Sequence, residues 1–502
     1  MRSLRRGVAA NMAGQIYSVG INVLMVPAYI HFMGMEAYGL VGFFVALQTW
    51  FALLDAGVSP TLIRELSRYR AGELTTDAVW RFIRSAECLF AVLGVVCGGL
   101  VVVLRGTVVS DWLRLETIDP LSAAWCVAMM GLMLGLRWLS SLYRSGLIGM
   151  ERFTLLNACQ VGLSTVRSVV VLAVLAFVSN AVTTFFTYQA CLAVAELLLL
   201  RQLFVHTLPG GGAIGPSMAA FRPVLRFAGA MAALSIIWGV LAQTDRLILA
   251  HVISMSAFGE YSLATVAAGA VAILATPFTQ ALQPRLVYLA ASGANADQAD
   301  LYRRGTQVLS WILGVVAGAA IFVGEQVLFA WTGTPEVARR IAGLLALYAA
   351  GNVFWALSSL VFQLQYASGN VRRHVVGSLA LAVLWGPLIV VMAMRYGAQG
   401  AAWTWLAGNS VFFFAWMLGT QRSMMPGLTA SWLLRDVMAV LLGCFAAYAL
   451  IGWLVPPLGR WATLLMLVGA ALGAGAVGCL CGSRLRPMAA AAWRRVMRGT
   501  AA

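Results

Sequence analysis

Residues 85–104 read SAECLFAVLGVVCGGLVVVL, a stretch that is apolar over almost its whole length. A helix of this length spans about 30 Å, which is the thickness of the hydrocarbon core of a bilayer. Similar runs recur along the whole chain of 502 residues, of which 61% are hydrophobic and only 10% are charged. A soluble protein carries about 25% charged residues. The sequence therefore predicts an all-α polytopic membrane protein.

These runs predict fourteen membrane-spanning helices. Membrane-spanning barrels are excluded, because their strands alternate apolar and polar residues over about 10 positions and this alternation is not seen. The predicted spans are 8–33, 38–60, 85–104, 122–143, 154–178, 182–203, 224–250, 258–280, 306–330, 340–362, 374–394, 398–420, 436–456 and 461–481.

Arginine supplies all 34 basic residues, and its distribution predicts the orientation of the chain. With fourteen spans both termini lie on one side, which carries 25 arginines in its connections and tails against 6 on the other side. Because cytoplasmic loops are enriched in basic residues, we expect both termini in the cytoplasm. The net charge of +16 is then a signature of membrane orientation. Binding to nucleic acid is not expected, since it needs a soluble basic face.

The connections between the spans exclude several classes of function. The outer loop near 105–121 is too short for an external catalytic domain. The sequence has no phosphate-cradling loop, metal-ligand spacing or nucleophile triad, so we expect no enzyme activity and no cofactor. Energy would come from an H⁺ or Na⁺ gradient, or from the substrate gradient itself. The cytoplasmic connection 61–84 has apolar and basic residues at helical spacing, which predicts an amphipathic segment along the lipid headgroups.

An internal repeat relates the two halves of the chain. HFMGMEAYG at 31–39 matches HVISMSAFG at 251–259, and each segment links a first span to a second. Two six-span bundles of the same topology are typical of transporters in which the halves rock about a site between them. We therefore predict an N-terminal six-helix lobe, 1–210, a C-terminal six-helix lobe, 211–425, and two additional helices with a basic cytoplasmic tail, 426–502.

Charged side chains inside the predicted spans are the candidate functional residues, since each costs about 2.5–3.5 kcal/mol there and faces a partner or a water-filled cavity. Arg167 lies midway through its span, where it either lines a central cavity that receives a negative group of the substrate or pairs with Glu196. Asp55 and Arg137 lie at similar depth and are candidates for an ion pair. The full set is Asp55, Arg137, Arg167, Glu196, Asp245 and Arg246.

Glycines four residues apart predict close contacts between helices, because the absence of a side chain lets two backbones approach. Pairs that fall within predicted spans include Gly131 with Gly135, Gly314 with Gly318, and Gly469 with Gly473.

Several longer stretches resemble a known family. Residues 11–72, NMAGQIYSVGINVLMVPAYIHFMGMEAYGLVGFFVALQTWFALLDAGVSPTLIRELSRYRAG, look like the opening of polysaccharide-transport proteins, the Wzx-type lipid-linked oligosaccharide flippases. The segments TDRLILAHVISMSAFGEYSLA (244–264), TPFTQALQPRL (276–286) and YGAQGAAWTW (396–405) are also similar to that family. The resemblance covers most of the chain up to about residue 420.

The resemblance implies a fold of two six-helix lobes around a cationic cavity, in the superfamily that includes multidrug exporters and the lipid II flippase. Its members carry undecaprenyl-pyrophosphate-linked glycans, the repeat units of O-antigen, capsule or exopolysaccharide, from the inner to the outer leaflet of the bacterial inner membrane. Arg137 and Arg167 match the cationic cavity, Asp55 and Arg64 lie in the family-like stretch LLDAGVSPTLIREL, and Asp245 and Arg246 lie in TDRLIL.

The expected partners are a lipid-linked glycan substrate and membrane lipids, with a glycan polymerase and chain-length proteins as further candidates. Two other functions remain open from the sequence. A cation-coupled multidrug exporter would favour a cavity rich in carboxylates, and the set of buried charges is mixed. A membrane-embedded glycan polymerase or ligase would need a substantial outer loop, and none of that size is predicted.

Overall fold

The computed structural model describes residues 2–53, 58–208, 215–217, 243–456 and 458–490. Within these ranges ten helices are long and apolar enough to cross a membrane. The prediction of an all-α polytopic membrane protein is confirmed. The number of fourteen spans is not, since the predicted span 224–250 lies mostly outside the described residues. The chain divides into two compact units, unit 1 (Met1–Gly259) and unit 2 (Glu260–Ala502). The predicted lobe boundary at 210 lies outside the described residues.

Unit 1 is built from long helices joined by short connections. Residues 243–252 form a further helical stretch, which ends within the first two residues of the repeat segment 251–259. The helices used below are α1 (Arg2–Met33), α2 (Met35–Leu53), α3 (Val58–Arg70), α4 (Thr76–Val103), α5 (Pro120–Gly149), α6 (Phe153–Phe177) and α7 (Val182–Thr207).

Helices α4 and α5 cross at a reciprocal pair of glycine motifs. Gly94 and Gly98 on α4 face Gly135 and Gly131 on α5, and a Cβ at Gly98 would lie 2.6 Å from the carbonyl oxygen of Gly131. A Cβ at Gly131 would in turn lie 2.6 Å from the carbonyl oxygen of Gly98. The close contact predicted for Gly131 and Gly135 is confirmed, and it fixes α5 against α4 where no side chain can intervene.

The amphipathic segment predicted in the connection 61–84 forms α3. Its buried face, which includes Leu62 and Leu66, packs within unit 1, and a Cβ at Gly149 of α5 would lie 2.8 Å from the Cβ of Leu66. The apolar face of α3 therefore covers the end of α5, and its predicted position along the lipid headgroups stays a prediction. Arg70 at the end of α3 pairs with Glu151, 2.7 Å away, in the link between α5 and α6.

The two repeat segments contact each other in unit 1 through equivalent atoms. A Cβ at Gly39 would strike the carbonyl oxygen of Met255, and a Cβ at Gly259 would strike the carbonyl oxygen of Met35. Gly39 and Gly259 occupy the same place in the repeat, as do Met35 and Met255. The reciprocal contact is what two related segments produce when a local two-fold axis passes between them.

The loop between α4 and α5 is held against the start of α2. Glu36, which is 7% exposed, accepts hydrogen bonds from the backbone N–H of Glu116 at 2.6 Å and of Thr117 at 2.8 Å. The Thr117 hydroxyl also donates to this carboxylate. Burial raises the pKa of Glu36, but these hydrogen bonds lower it by more, so that it lies below its usual range. On the other side of the loop, the N–H of Met255 donates to the carbonyl of Arg114 at 2.8 Å.

Unit 2 has a second set of long helices. Its first helix begins at Met255, within the repeat segment, so the residues before Glu260 belong to unit 1. The helices are α8 (Met255–Ala291), α9 (Asn295–Phe322), α10 (Gly324–Thr332), α11 (Pro335–Ala367), α12 (Arg372–Met424), α13 (Thr429–Leu454) and α14 (Arg460–Cys481).

Helix α12 contains two of the predicted spans, 374–394 and 398–420. Gly397 separates them with φ +56° and ψ −140°, a conformation that side-chain-bearing residues rarely adopt. The break therefore falls inside the gap that the hydropathy pattern predicts between the two spans. A single glycine is sufficient to reverse the chain there.

The two additional helices predicted at the C-terminus, α13 and α14, pack against α9 within unit 2. Asp436, which is fully buried, accepts hydrogen bonds from Arg303 Nε and Gln307 Nε2 of α9, each at 2.6 Å. Trp311 Nε1 of the same helix donates to the carbonyl of Gly475 at 2.7 Å. Helix α9 thus holds both C-terminal helices through buried polar contacts.

Only one of the two glycine pairs predicted in unit 2 makes a close contact. Gly314 and Gly318 face Cys444 and Tyr448 of α13, and a Cβ at Gly318 would lie 2.8 Å from the Tyr448 ring. The prediction for Gly469 and Gly473 is wrong, since no atom of the described chain lies within 4 Å of a Cβ at either position. Glycine spacing alone does not show which face of a helix is covered.

Candidate functional site: a cationic cavity in unit 1

A cavity of about 300 Å³ lies within unit 1 between α2, α5, α6 and α7. Three arginines and one glutamate contribute to its wall, together with polar and apolar side chains. The lining residues are Gln48, Phe51, Ala52, Ser59, Leu134, Arg137, Trp138, Ser141, Arg144, Arg167 and Glu196.

Helix α5 supplies two of the arginines from one face. Arg137 and Arg144 are seven residues apart, which is close to two helical turns, so their side chains leave the helix in nearly the same direction. Ser141 lies between them and also lines the cavity. The Nη1 of Arg137 donates to Gln48 Oε1 of α2 at 2.9 Å, and its guanidinium carbon lies 5.1 Å from the centre of the Phe44 ring. The charge is thereby held by an amide and an aromatic face.

Arg167 is carried by a π-helical turn, Val166–Val170, within α6. A π-turn widens the helix and changes which carbonyls meet the following N–H groups, and such turns occur frequently at functional sites. The Tyr188 hydroxyl donates to the carbonyl of Val166 at 2.8 Å, and Gln189 Nε2 donates to that of Arg167 at 3.2 Å. From α1, the Tyr29 hydroxyl donates to the carbonyl of Ser168 at 3.1 Å. Side chains of two neighbouring helices therefore stabilise the irregular turn that places Arg167 at the cavity.

Glu196 of α7 connects two of the three arginines. Its Oε1 accepts a hydrogen bond from Arg144 Nη2 at 2.8 Å, and its Oε2 accepts one from Arg167 Nη2. The carboxylate is 3% exposed, whereas Arg144 and Arg167 are 40% and 25% exposed. A buried carboxylate of this kind is tolerated because both oxygens are paired with a positive charge.

The cluster retains a positive charge and unused donors. Among the described lining residues, three guanidinium groups and one carboxylate leave a formal charge of +2. In the described part of the chain, the Nε atoms of Arg137, Arg144 and Arg167 are buried without a hydrogen-bond partner. The side chains of Arg144 and Arg167 remain 40% and 25% exposed, so their accessible N–H groups suit a ligand that brings anionic oxygens.

A second cavity in unit 1, of about 700 Å³, has a different chemistry. It lies between α5, α6 and α7, and no charged side chain is among its lining residues. These are Leu121, Ser122, Trp125, Val174, Thr183, Thr184, Thr187, Tyr188 and Cys191.

The structure brings together Arg137, Arg167 and Glu196 of the predicted site residues. The pairing of Arg167 with Glu196 and its position at a cavity, which the sequence left as alternatives, occur together. Their role in substrate binding stays a prediction. Asp55 lies outside the described residues, and so does its predicted ion pair with Arg137. Arg144 was missed as a cavity residue, since hydropathy ends the span at 143 while the helix continues to Gly149.

The remaining predicted residues lie elsewhere in unit 1. Arg64 is exposed on α3. Asp245 and Arg246 lie in the helical stretch 243–252, where Asp245 is 5% exposed and its Oδ1 accepts a hydrogen bond from the backbone N–H of Arg246 at 2.8 Å. None of these three lines the cationic cavity. Their roles in substrate binding also stay predictions.

Similarity to known proteins extends over most of the chain. A curated protein of Shigella flexneri named "Putative O-antigen transporter" is 20% identical over 385 residues, which cover 74% of this chain and 87% of that protein. The lipid II flippase MurJ in an inward closed conformation has a TM-score of 0.72 at 11% identity and covers 94% of this chain and 98% of its own. An inward-facing multidrug transporter of the MATE family has a TM-score of 0.64 at 13% identity and covers 81% and 94%.

At such identities the two solved structures show a shared fold. The family assignment comes from the sequence, because the family described as "Polysaccharide biosynthesis protein" matches residues 4–290, more than half of the 502. The chain is a multi-pass membrane protein that belongs to the polysaccharide biosynthesis protein family.

Proposed function

We propose that this protein is a flippase for lipid-linked oligosaccharide. It moves an undecaprenyl-pyrophosphate-linked repeat unit of O-antigen, capsule or exopolysaccharide from the cytoplasmic to the periplasmic leaflet of the bacterial inner membrane by alternating access. Both termini lie in the cytoplasm, and no chemical bond of the substrate is made or broken. The family membership and the relative named as an O-antigen transporter support this substrate class.

The observation that carries the proposal is the charge of the cavity. The diphosphate of the substrate is the group that hydrocarbon excludes most strongly, and guanidinium groups below the bilayer surface compensate its charge during passage. Arg144 and Arg167, whose side chains are 40% and 25% exposed, can donate to its oxygens through their accessible N–H groups. The sugars need only a hydrated path, and the polyprenyl chain remains in lipid.

The same charge argues against the alternative of a multidrug exporter for cationic compounds. A formal charge of +2 repels a cation, and Glu196 is already paired with two arginines. An H⁺ or Na⁺ gradient remains the proposed energy source, and a glycan polymerase and chain-length proteins are proposed partners.

A flipping assay in proteoliposomes tests the proposal. The purified protein is reconstituted with a fluorescent lipid-diphosphate-linked sugar, and protection of the fluorophore from an external quencher gives the rate of transfer. We expect wild type to transfer this lipid. Arg167→Ala should reduce the rate by at least about tenfold, while Arg167→Lys retains part of it because the charge is kept.

The control is Arg70→Gln, which removes an arginine of α3 that is 39% exposed and belongs to a surface ion pair with Glu151. It should transfer at the wild-type rate, since exposed ion pairs contribute little. A normal rate in Arg167→Ala would refute the role of the cavity. Transfer of a fluorescent organic cation but not of the lipid diphosphate would instead establish the exporter.

A further inference from the structure

Glu196 is not needed to bind an anion, yet it occupies the centre of the cationic cluster. It uses both carboxylate oxygens to hold Arg144 and Arg167, and it is nearly inaccessible. A cavity selected only for tight binding of a diphosphate would be stronger without this negative charge. The position of Glu196 therefore needs an explanation beyond anion binding.

The N–H groups of the three guanidiniums fall into two sets, those paired with Glu196 or Gln48 and those left without such a partner. Glu196 takes one Nη2 from Arg144 and one from Arg167, and Gln48 takes an Nη1 from Arg137. The other N–H groups of Arg144 and Arg167 lie on side chains that are 40% and 25% exposed. The carboxylate thus fixes two guanidinium planes and still leaves accessible donors for an incoming group.

The carboxylate also sets the charge that a ligand meets. With Glu196 the cluster has a formal charge of +2, and without it the charge would be +3. Electrostatic attraction in a partly buried site is poorly screened, so one unit of charge changes affinity strongly. A transported group must be bound and then released, and excessive affinity in the cavity slows release.

We propose that Glu196 is a release-determining residue of the cationic cavity, an inference that rests on the proposed function. By pairing with Arg144 and Arg167 it offsets one of the three positive charges of the cluster and keeps the affinity for a diphosphate low enough for release. Its role is opposite to that of the arginines, which contribute attraction.

Binding and transport measured on the same variants test this inference. The full-length protein in nanodiscs is titrated with farnesyl diphosphate, and its transfer of the fluorescent lipid diphosphate is measured in proteoliposomes. Glu196→Gln should bind farnesyl diphosphate about tenfold more tightly, which corresponds to roughly 1.4 kcal/mol, and should have a lower maximal transfer rate. Glu196→Asp keeps the charge and should stay closer to wild type in both measurements.

A purely structural role predicts weaker binding instead of tighter binding, because a lost ion pair would lower stability, affinity and rate together. The matched control is Glu65→Gln, which removes another partly buried carboxylate of unit 1 that pairs with Arg68 of the same helix, α3, at 3.1 Å and lies outside the cavity lining. It should leave the affinity for farnesyl diphosphate unchanged. Unchanged or weaker binding by a folded Glu196→Gln variant would overturn the inference.

A second set of variants covers the case in which Glu196→Gln does not fold. Arg144→Gln lowers the formal charge to +1 and should weaken binding about tenfold, or roughly 1.4 kcal/mol. Adding Glu196→Gln to this variant returns the charge to +2 and should restore affinity to within about threefold of wild type. Failure of the double variant to recover refutes the inference. If wild type binds farnesyl diphosphate no better than farnesol, the proposed function itself fails.

Discussion

Replacing Gly98 by alanine tests the helix crossing that supports the cavity. The new Cβ would lie 2.6 Å from the carbonyl oxygen of Gly131, whereas ordinary contact begins at 3.4 Å. The neighbouring atom is backbone, so it cannot rotate away, and α4 and α5 must separate by about 0.8 Å, the difference between these two distances. Overpacking of this size costs about 1–3 kcal/mol.

The separation should also affect transport. Arg137 lies on α5, six residues after Gly131 and therefore about 9 Å farther along the helix axis. Movement of α5 would lengthen the 2.9 Å contact between Arg137 and Gln48 of α2. We expect Gly98→Ala to melt about 1–6 °C below wild type in detergent and to transfer lipid diphosphate more slowly.

The adjacent glycine provides a matched control. No atom of the described chain lies within 4 Å of a Cβ at Gly99, so Gly99→Ala adds the same methyl group to the same turn of α4 without a collision. Its melting temperature should equal or slightly exceed that of wild type, since alanine is the better helix former. Equal melting temperatures for the two variants would refute the close crossing.

Two further predictions concern other buried carboxylates. Glu36 has a lowered pKa, so its contribution to stability is present above its ordinary value of about 4.3 and is lost as pH falls through the folded value. The protection factor of the Thr117 amide, which is the exchange rate corrected for the intrinsic effect of pH, should therefore fall on acidification in wild type but not in Glu36→Gln; a wild-type protection factor that does not change with pH would contradict the anchor. Asp436→Asn should destabilise unit 2 by about 3 kcal/mol, because Arg303 loses its fully buried charged partner. The control is Asp297→Asn, at an exposed position of the same unit. Equal melting temperatures for the two variants would show that the contact is dispensable.

Hydropathy predicted most of the helices, because the requirement for about 20 apolar residues per span is a property of the sequence itself. It located the break at Gly397 as well. It did not predict where helices end, since a helix continues past the membrane wherever another element covers it. Helix α5 extends to Gly149 under α3, and this extension places Arg144 on the cavity wall.

The candidate site was predictable only in part. The cost of charge in lipid correctly drew attention to Arg137, Arg167 and Glu196. The π-turn at Val166–Val170 had no signal in the sequence, since its stability comes from side chains of α1 and α7 that are distant along the chain. Glycine spacing likewise predicted two close helix contacts and failed at Gly469, because it does not specify which face has a neighbour.

The reciprocal contact between the repeat segments has a consequence for how their sequences could diverge. A contact in which each side offers the other the same atoms is isologous, as at the two-fold axis of a homodimer, where any change appears twice. Here both sides belong to one polypeptide, so each can change alone. The position equivalent to Glu36 is Ser256. Covalent linkage has thus allowed one copy to acquire an acidic anchor for the neighbouring loop while the other copy keeps a small neutral residue.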